Sequence, residues 1–143
     1  MSSTHWFTWA MLSAVFAALT TVFAKVGVAD VDADLATFIR TLVVVVLLGV
    51  LVVAAGKWTN PLTVPPRTLA FLGLSALATG ASWICYFRAL QGGDASLVAA
   101  VDKSSLLLVA LFAAAFLGER PAGRQWIGIA LVAAGVFTLG WRR

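Results

Sequence analysis

The feature that most constrains this chain is a succession of five long apolar segments, separated by short connectors rich in charge, Gly or Pro. They run from about Trp6 to Ala24, Leu35 to Ala55, Thr68 to Leu90, Ala95 to Leu117 and Gln125 to Trp141. A helix that crosses a bilayer needs about 20 mostly apolar residues, and each segment is close to that length. Lipid offers no partner to an unpaired backbone N–H or C=O, so each segment is expected to be helical. Composition decides between membrane spans and buried core helices. Hydrophobic residues make up 62% of the 143 and charged residues 11%. Soluble domains average about 45–50% apolar, Gly included, and about 25% charged. A soluble fold of this length hides only about 68–70% of the surface of its unfolded chain, too little for so apolar a sequence. The expected fold is an all-α membrane protein, a five-helix transmembrane bundle in one domain over residues 1–143.

The same sequence excludes several chemistries. Cys85 is the single cysteine and His5 the single histidine, so neither an intrachain disulfide nor a Cys-based zinc site can form. No Walker-type phosphate loop, G-x-S-x-G or H-E-x-x-H occurs, and no catalytic residues, metal or cofactor are expected. A cleaved signal peptide is not expected either, because Met1 to His5 lacks Lys and Arg and the following apolar run is too long. The net charge of +4 comes with no basic surface interleaved with aromatics, so no nucleic-acid partner is expected.

The connectors set the topology. The first carries Gly27 and the acidic trio Asp30, Asp32 and Asp34, with Asp34 the expected cap of the second helix. The second, Gly56 to Arg67, is broken by Pro61, Pro65 and Pro66. Gln91 to Asp94 joins the third and fourth segments so tightly that those helices should be antiparallel neighbours, with Asp94 capping the fourth. Gly118 to Arg124 leads to the fifth. An odd number of spans puts the termini on opposite sides. The N-terminal side, side A, carries Lys57, Arg67, Arg120 and Arg124; side B carries Lys25, Arg142 and Arg143. That bias leans towards a cytoplasmic N-terminus and is weak enough for insertion in both orientations. Trp6, Trp58 and Trp126 on side A and Trp141 on side B form an aromatic belt that anchors rather than binds.

Arg40, Arg88, Asp102 and Lys103 lie within the apolar segments, where each would cost roughly 2.5–3.5 kcal/mol at a helix centre. Arg40 is six residues past Asp34 and Asp102 eight past Asp94, about 9 and 12 Å along a helix. Arg88 is near the side B end of its helix and can snorkel. All the intramembrane charge therefore falls in the side B half, while the side A half reads LVVVVLLGVLVV in the second segment. Charge gathered at one depth implies a polar cavity open towards side B. Asp102 can neutralise one of Arg40, Arg88 or Lys103, which leaves cations in excess for water or an anionic ligand to meet. The competing reading is a set of packing ion pairs. On the third segment Ser75, Thr79, Ser82 and Tyr86 share one helical face, which can line a pathway or hold helices together. Trp83, beside that stripe, can stack on a substrate or pack.

The chain resembles a known family. ASLVAAVDKSSLLLVALFAAAFLGER followed by QWIGIALVAAGVFTLG is similar to the end of an EamA domain of the drug/metabolite transporter superfamily. GASWICYFRALQGGDAS and FAKVGVADVDADLATFIRT extend the likeness over nearly the whole chain, and the FLGE run ending at Glu119 is its most family-like piece. The chain looks like the single-domain members. Family members often carry a proline in the fourth helix where this sequence has Ala100, so no proline kink is expected there. The resemblance implies one five-helix half of an inverted-repeat transporter, with the pathway between two halves. It implies a partner too, an antiparallel homodimer or a paralogous chain.

The function expected is secondary transport across the cell membrane, the bacterial inner membrane. The cargo would be a small metabolite or drug-like compound, exported by alternating access. Arg40 and Lys103 would take an anionic or zwitterionic group, with Asp102 as ion partner and proton site. Tyr86, Ser82, Trp83, Thr79 and Arg88 would line the path. Two alternatives stand beside it. A small multidrug-type cation exporter would need a carboxylate in the first span, which is absent. A non-transporting subunit or scaffold would need no cavity, and its buried charges would be pure ion pairs.

Overall fold

The computed structural model describes residues 3–141. All their regular structure is helical: α1 (Ser3–Gly27), α2 (Ala33–Ala54), a 3₁₀ turn (Pro61–Thr63), α3 (Pro66–Gly92), α4 (Ala95–Asp102), α5 (Ser105–Phe116) and α6 (Gly123–Gly140). Five stretches are long and apolar enough to cross a membrane, with α4 and α5 together forming one of them. The helices gather into two compact units, one up to Gly92 and the other from Gly93. Each is described by itself.

In the first unit α3 packs against both α1 and α2. Its core is small and sits at one end. Val28, Ala33, Thr37, Phe87 and Leu90 are buried there. Away from that end the helices present apolar side chains outward, as Val46 and Phe71 do at 65% and 63% exposure. Such surface has no aqueous solution and is the lipid-facing skin of a membrane protein.

The ends of α2 follow from local chemistry. Asp32, not the expected Asp34, is the N-cap: its Oδ1 accepts from the N–H of Asp34 and of Leu35 at 3.0 and 3.1 Å. That satisfies two of the donors a helix start leaves unpaired. Asp34 is thereby freed for another partner. At the far end Gly56 takes φ 64°, Lys57 N–H returns to Val52 O and Gly56 N–H to Val53 O, both at 3.0 Å. This pair of bonds is the Schellman closure that favours glycine.

In the second unit α6 packs against α4 and α5. The fourth apolar stretch is not one uniform helix, despite Ala100 in place of a proline. Between α4 and α5 the pitch tightens: Lys103, Ser104, Leu106 and Leu107 each donate to the carbonyl three residues back, at 2.9–3.1 Å. The bonds of a 3₁₀ turn replace those of an α-helix there, a local tightening that often marks a hinge or a strained sequence. Gly118, at φ 68°, ends α5. The Gln125 side chain accepts the Ala122 N–H at 2.6 Å at the start of α6.

Candidate functional site

In the first unit a web of polar contacts surrounds the small core. Arg88 donates through Nε to Asp34 Oδ1 at 3.1 Å and through Nη2 to Asp34 Oδ2 at 2.7 Å. This fork-to-fork pair ties α3 to α2, with Arg88 still exposed near the end of its helix. The Lys25 ammonium donates to Leu90 O, tying α1 to α3. Gln91 Nε2 donates to Val28 O and Val31 O at 3.2 and 2.8 Å, pinning the α1–α2 connector. A fourth tie lies about one turn deeper. Tyr86 Oη and Thr21 Oγ1 are 2.7 Å apart, and Thr21 already donates its hydroxyl proton to Ala17 O at 3.0 Å. Tyr86 is therefore the donor of that pair. Thr21, Lys25 and Gln91 were not among the site residues read from the sequence. Thr21 carried one weak signal, a polar residue inside an apolar run.

Arg40 is placed differently from Arg88. It is half-buried, and its guanidinium carbon lies 4.0 Å from the centroid of the Trp83 ring and 5.7 Å from that of Phe87. Among the described residues no carboxylate comes within 4.0 Å of it. Arg40 lines a cleft of about 400 Å³ together with Thr20, Phe23, Ala24, Gly27, Val28, Val31, Ala36, Ile39 and Phe87. The walls are thus α1, the connector and α2, with one ring from α3. Within this unit the predicted residues divide. Arg40 lines the cleft, and Trp83 stacks on its guanidinium from outside the lining. Tyr86 and Arg88 hold helices together. Ser82 is exposed, and exposed Thr79 turns its hydroxyl back to Ser75 O at 2.9 Å.

In the second unit Asp102 and Lys103 stand at the tightened turn. Asp102 Oδ2 is 3.6 Å from Lys103 Nζ, so the partner of Asp102 is its chain neighbour. Lys103 and Ser104 also line an apolar cavity of about 440 Å³, walled mainly by α5 and α6 and reaching Trp141. Among the described residues no three His, Cys, Asp or Glu side chains group as metal ligands would.

Helices of this kind, with a charged cleft and an apolar skin, are compatible with many membrane proteins. The comparison that decides is a match of residues 4–141 to the EamA-like transporter family. The chain belongs to that family. A relative of this EamA-like chain from Sinorhizobium sp is named "Uncharacterized transporter in cobO 3'region". It is 53% identical over 137 residues, covering 96% of this chain and 97% of its own length. Proteins of Yersinia pestis (strain Pestoides F) and Yersinia pseudotuberculosis serotype O:3 (strain YPIII) share 28% identity over 74 residues, 52% of this chain and 65% of theirs. Both are named "Probable 4-amino-4-deoxy-L-arabinose-phosphoundecaprenol flippase subunit ArnE". No solved structure matches the chain. It is a multi-pass membrane protein of a transporter family.

Proposed function

We propose that this EamA-like chain is a secondary transporter that exports a small metabolite or drug-like compound by alternating access between two five-helix units. The other five-helix half is a copy of this chain in antiparallel orientation, or a paralogous chain. The word "subunit" in the name of the Yersinia proteins supports a need for a partner. Occurrence of relatives in Sinorhizobium and Yersinia supports a bacterial inner membrane, and the four-against-three basic bias leans towards a cytoplasmic N-terminus while allowing both orientations.

The observation that carries this reading is Arg40 in its cleft. A guanidinium stays charged at any physiological pH. Two rings compensate it in part, but a ring face leaves its forked donors unused. An arginine maintained in an apolar span without a carboxylate is costly, and an anionic group on a cargo would offset the cost. Asp102 and Lys103, at the turn between α4 and α5, serve the same cycle, Lys103 as a second cation and Asp102 as the proton site. Transport into proteoliposomes driven by a pH gradient tests this. Arg40→Ala is expected to lower uptake at least about tenfold, the worth of one charge-assisted hydrogen bond. Asp102→Asn is expected to uncouple flux from the proton gradient. Unchanged transport in both variants would remove these residues from the mechanism.

A further inference from the structure

We propose that the cleft between α1 and α2 receives an amphiphile, its anionic phosphate or carboxylate head on Arg40 and its apolar part along Phe23, Val28 and Ile39. This deepens the transporter reading by naming a substrate class, and it rests on Arg40 being that reading's binding residue.

The chemistry of the walls selects the ligand from both ends. Besides Arg40, only Thr20 among the lining residues brings a polar side chain; the others are Gly, Ala, Val, Ile and Phe. A solute rich in hydroxyls would lose its water hydrogen bonds there and regain few. A wholly apolar molecule would fill the walls and leave the guanidinium unmatched. One anionic end joined to an apolar remainder meets both demands. Trp83 acts as a positioning residue. With its centroid 4.0 Å from the guanidinium carbon, the ring covers one face of the Arg40 plane and leaves the forked edge for a bidentate head group.

Access fits the same ligand. Phe23 and Ile39, at opposite walls, are 68% and 51% exposed, so the cleft is open at the surface of the first unit, and in the proposed arrangement acyl chains lie at that opening. Arg40 lies six residues beyond Asp34, about 9 Å into the helix. A head group on it sits below the membrane surface while its chain stays beside lipid. A volume of about 400 Å³ is at the small end of the range for ligand sites, about 300–1,000 Å³.

The test is photolabelling in phosphatidylcholine nanodiscs, using an alkyl phosphate that carries a diazirine on its chain. Saturable labelling is expected on the peptide holding Phe23 to Ile39. Dodecyl phosphate should compete, whereas dodecanol and inorganic phosphate should not. Arg40→Ala should weaken that competition about tenfold. Ile39→Trp, which fills the cleft and leaves the charge, should abolish labelling. Loss of labelling when phosphatidylglycerol replaces part of the phosphatidylcholine would make a bilayer lipid the ligand; its persistence would make it a free amphiphile. Equal competition by dodecanol or by inorganic phosphate overturns the assignment, as does labelling that survives Ile39→Trp. Transport separates the two claims. Saturable labelling without flux in proteoliposomes sinks the carrier and leaves the cleft; flux of water-soluble solutes without labelling does the reverse.

Discussion

Tyr86 and Thr21 show what a single hydroxyl contributes in a bundle with little core. Their 2.7 Å contact joins α3 to α1, next to the buried Phe87 and one turn from the buried Leu90. Hydrogen bonds between membrane helices average about 0.6 kcal/mol in double-mutant cycles. The cycle Tyr86→Phe, Thr21→Val is expected to return a coupling of about that size in reversible unfolding from mixed micelles. A coupling near zero would make the contact incidental. The sequence placed Tyr86 on a polar stripe correctly but left its use open, because the partner sits 65 residues away. Arg88 illustrates the same limit. Its partner Asp34 is 54 residues distant, and only the register between α2 and α3 chooses it over Asp102. Arg40 was legible as a buried charge, since nothing else in its apolar run resembles it. Its ring partners were not, since cation–π contact depends on side-chain approach rather than spacing.

At the scale of the element, helices were readable because lipid makes hydropathy and helix length nearly the same signal. Their ends were less so. Asp30, Asp32 and Asp34 are chemically equivalent caps in sequence, and the backbone conformation at Asp32 alone decides among them. The 3₁₀ tightening after α4 had no proline to announce it. Glycines divide into two kinds that composition does not separate. A Cβ added at Gly56 meets nothing within 4 Å, and neither does one at Gly49 in mid-helix, so backbone conformation alone sets the outcome. Gly56→Ala, at φ 64°, is expected to cost about 1–2 kcal/mol. Gly49→Ala is expected to gain about 0.5–1 kcal/mol. Thermal unfolding of both variants checks the opposite signs; equal shifts would contradict the Schellman ending of α2.

For the whole molecule, the open question is what completes it. An apolar skin is satisfied by lipid, but a pathway needs two walls. Purified in micelles, the chain is expected to scatter light as twice its 15.0 kDa protein mass. A topology reporter on its C-terminus is expected to show both orientations, given four basic residues on side A against three on side B. A monomer in one orientation would point instead to a paralogous partner. The first unit also has a mechanical property that any partner inherits. Its ties through Lys25, Asp34, Tyr86, Arg88 and Gln91 all lie near one end. α3, at 27 residues, is about 40 Å long. Fastened near one tip, such a rod is a lever. A tilt of about 5° at the fastening moves the free tip by about 3.5 Å at that length, the width of a methyl group, with none of the ties broken.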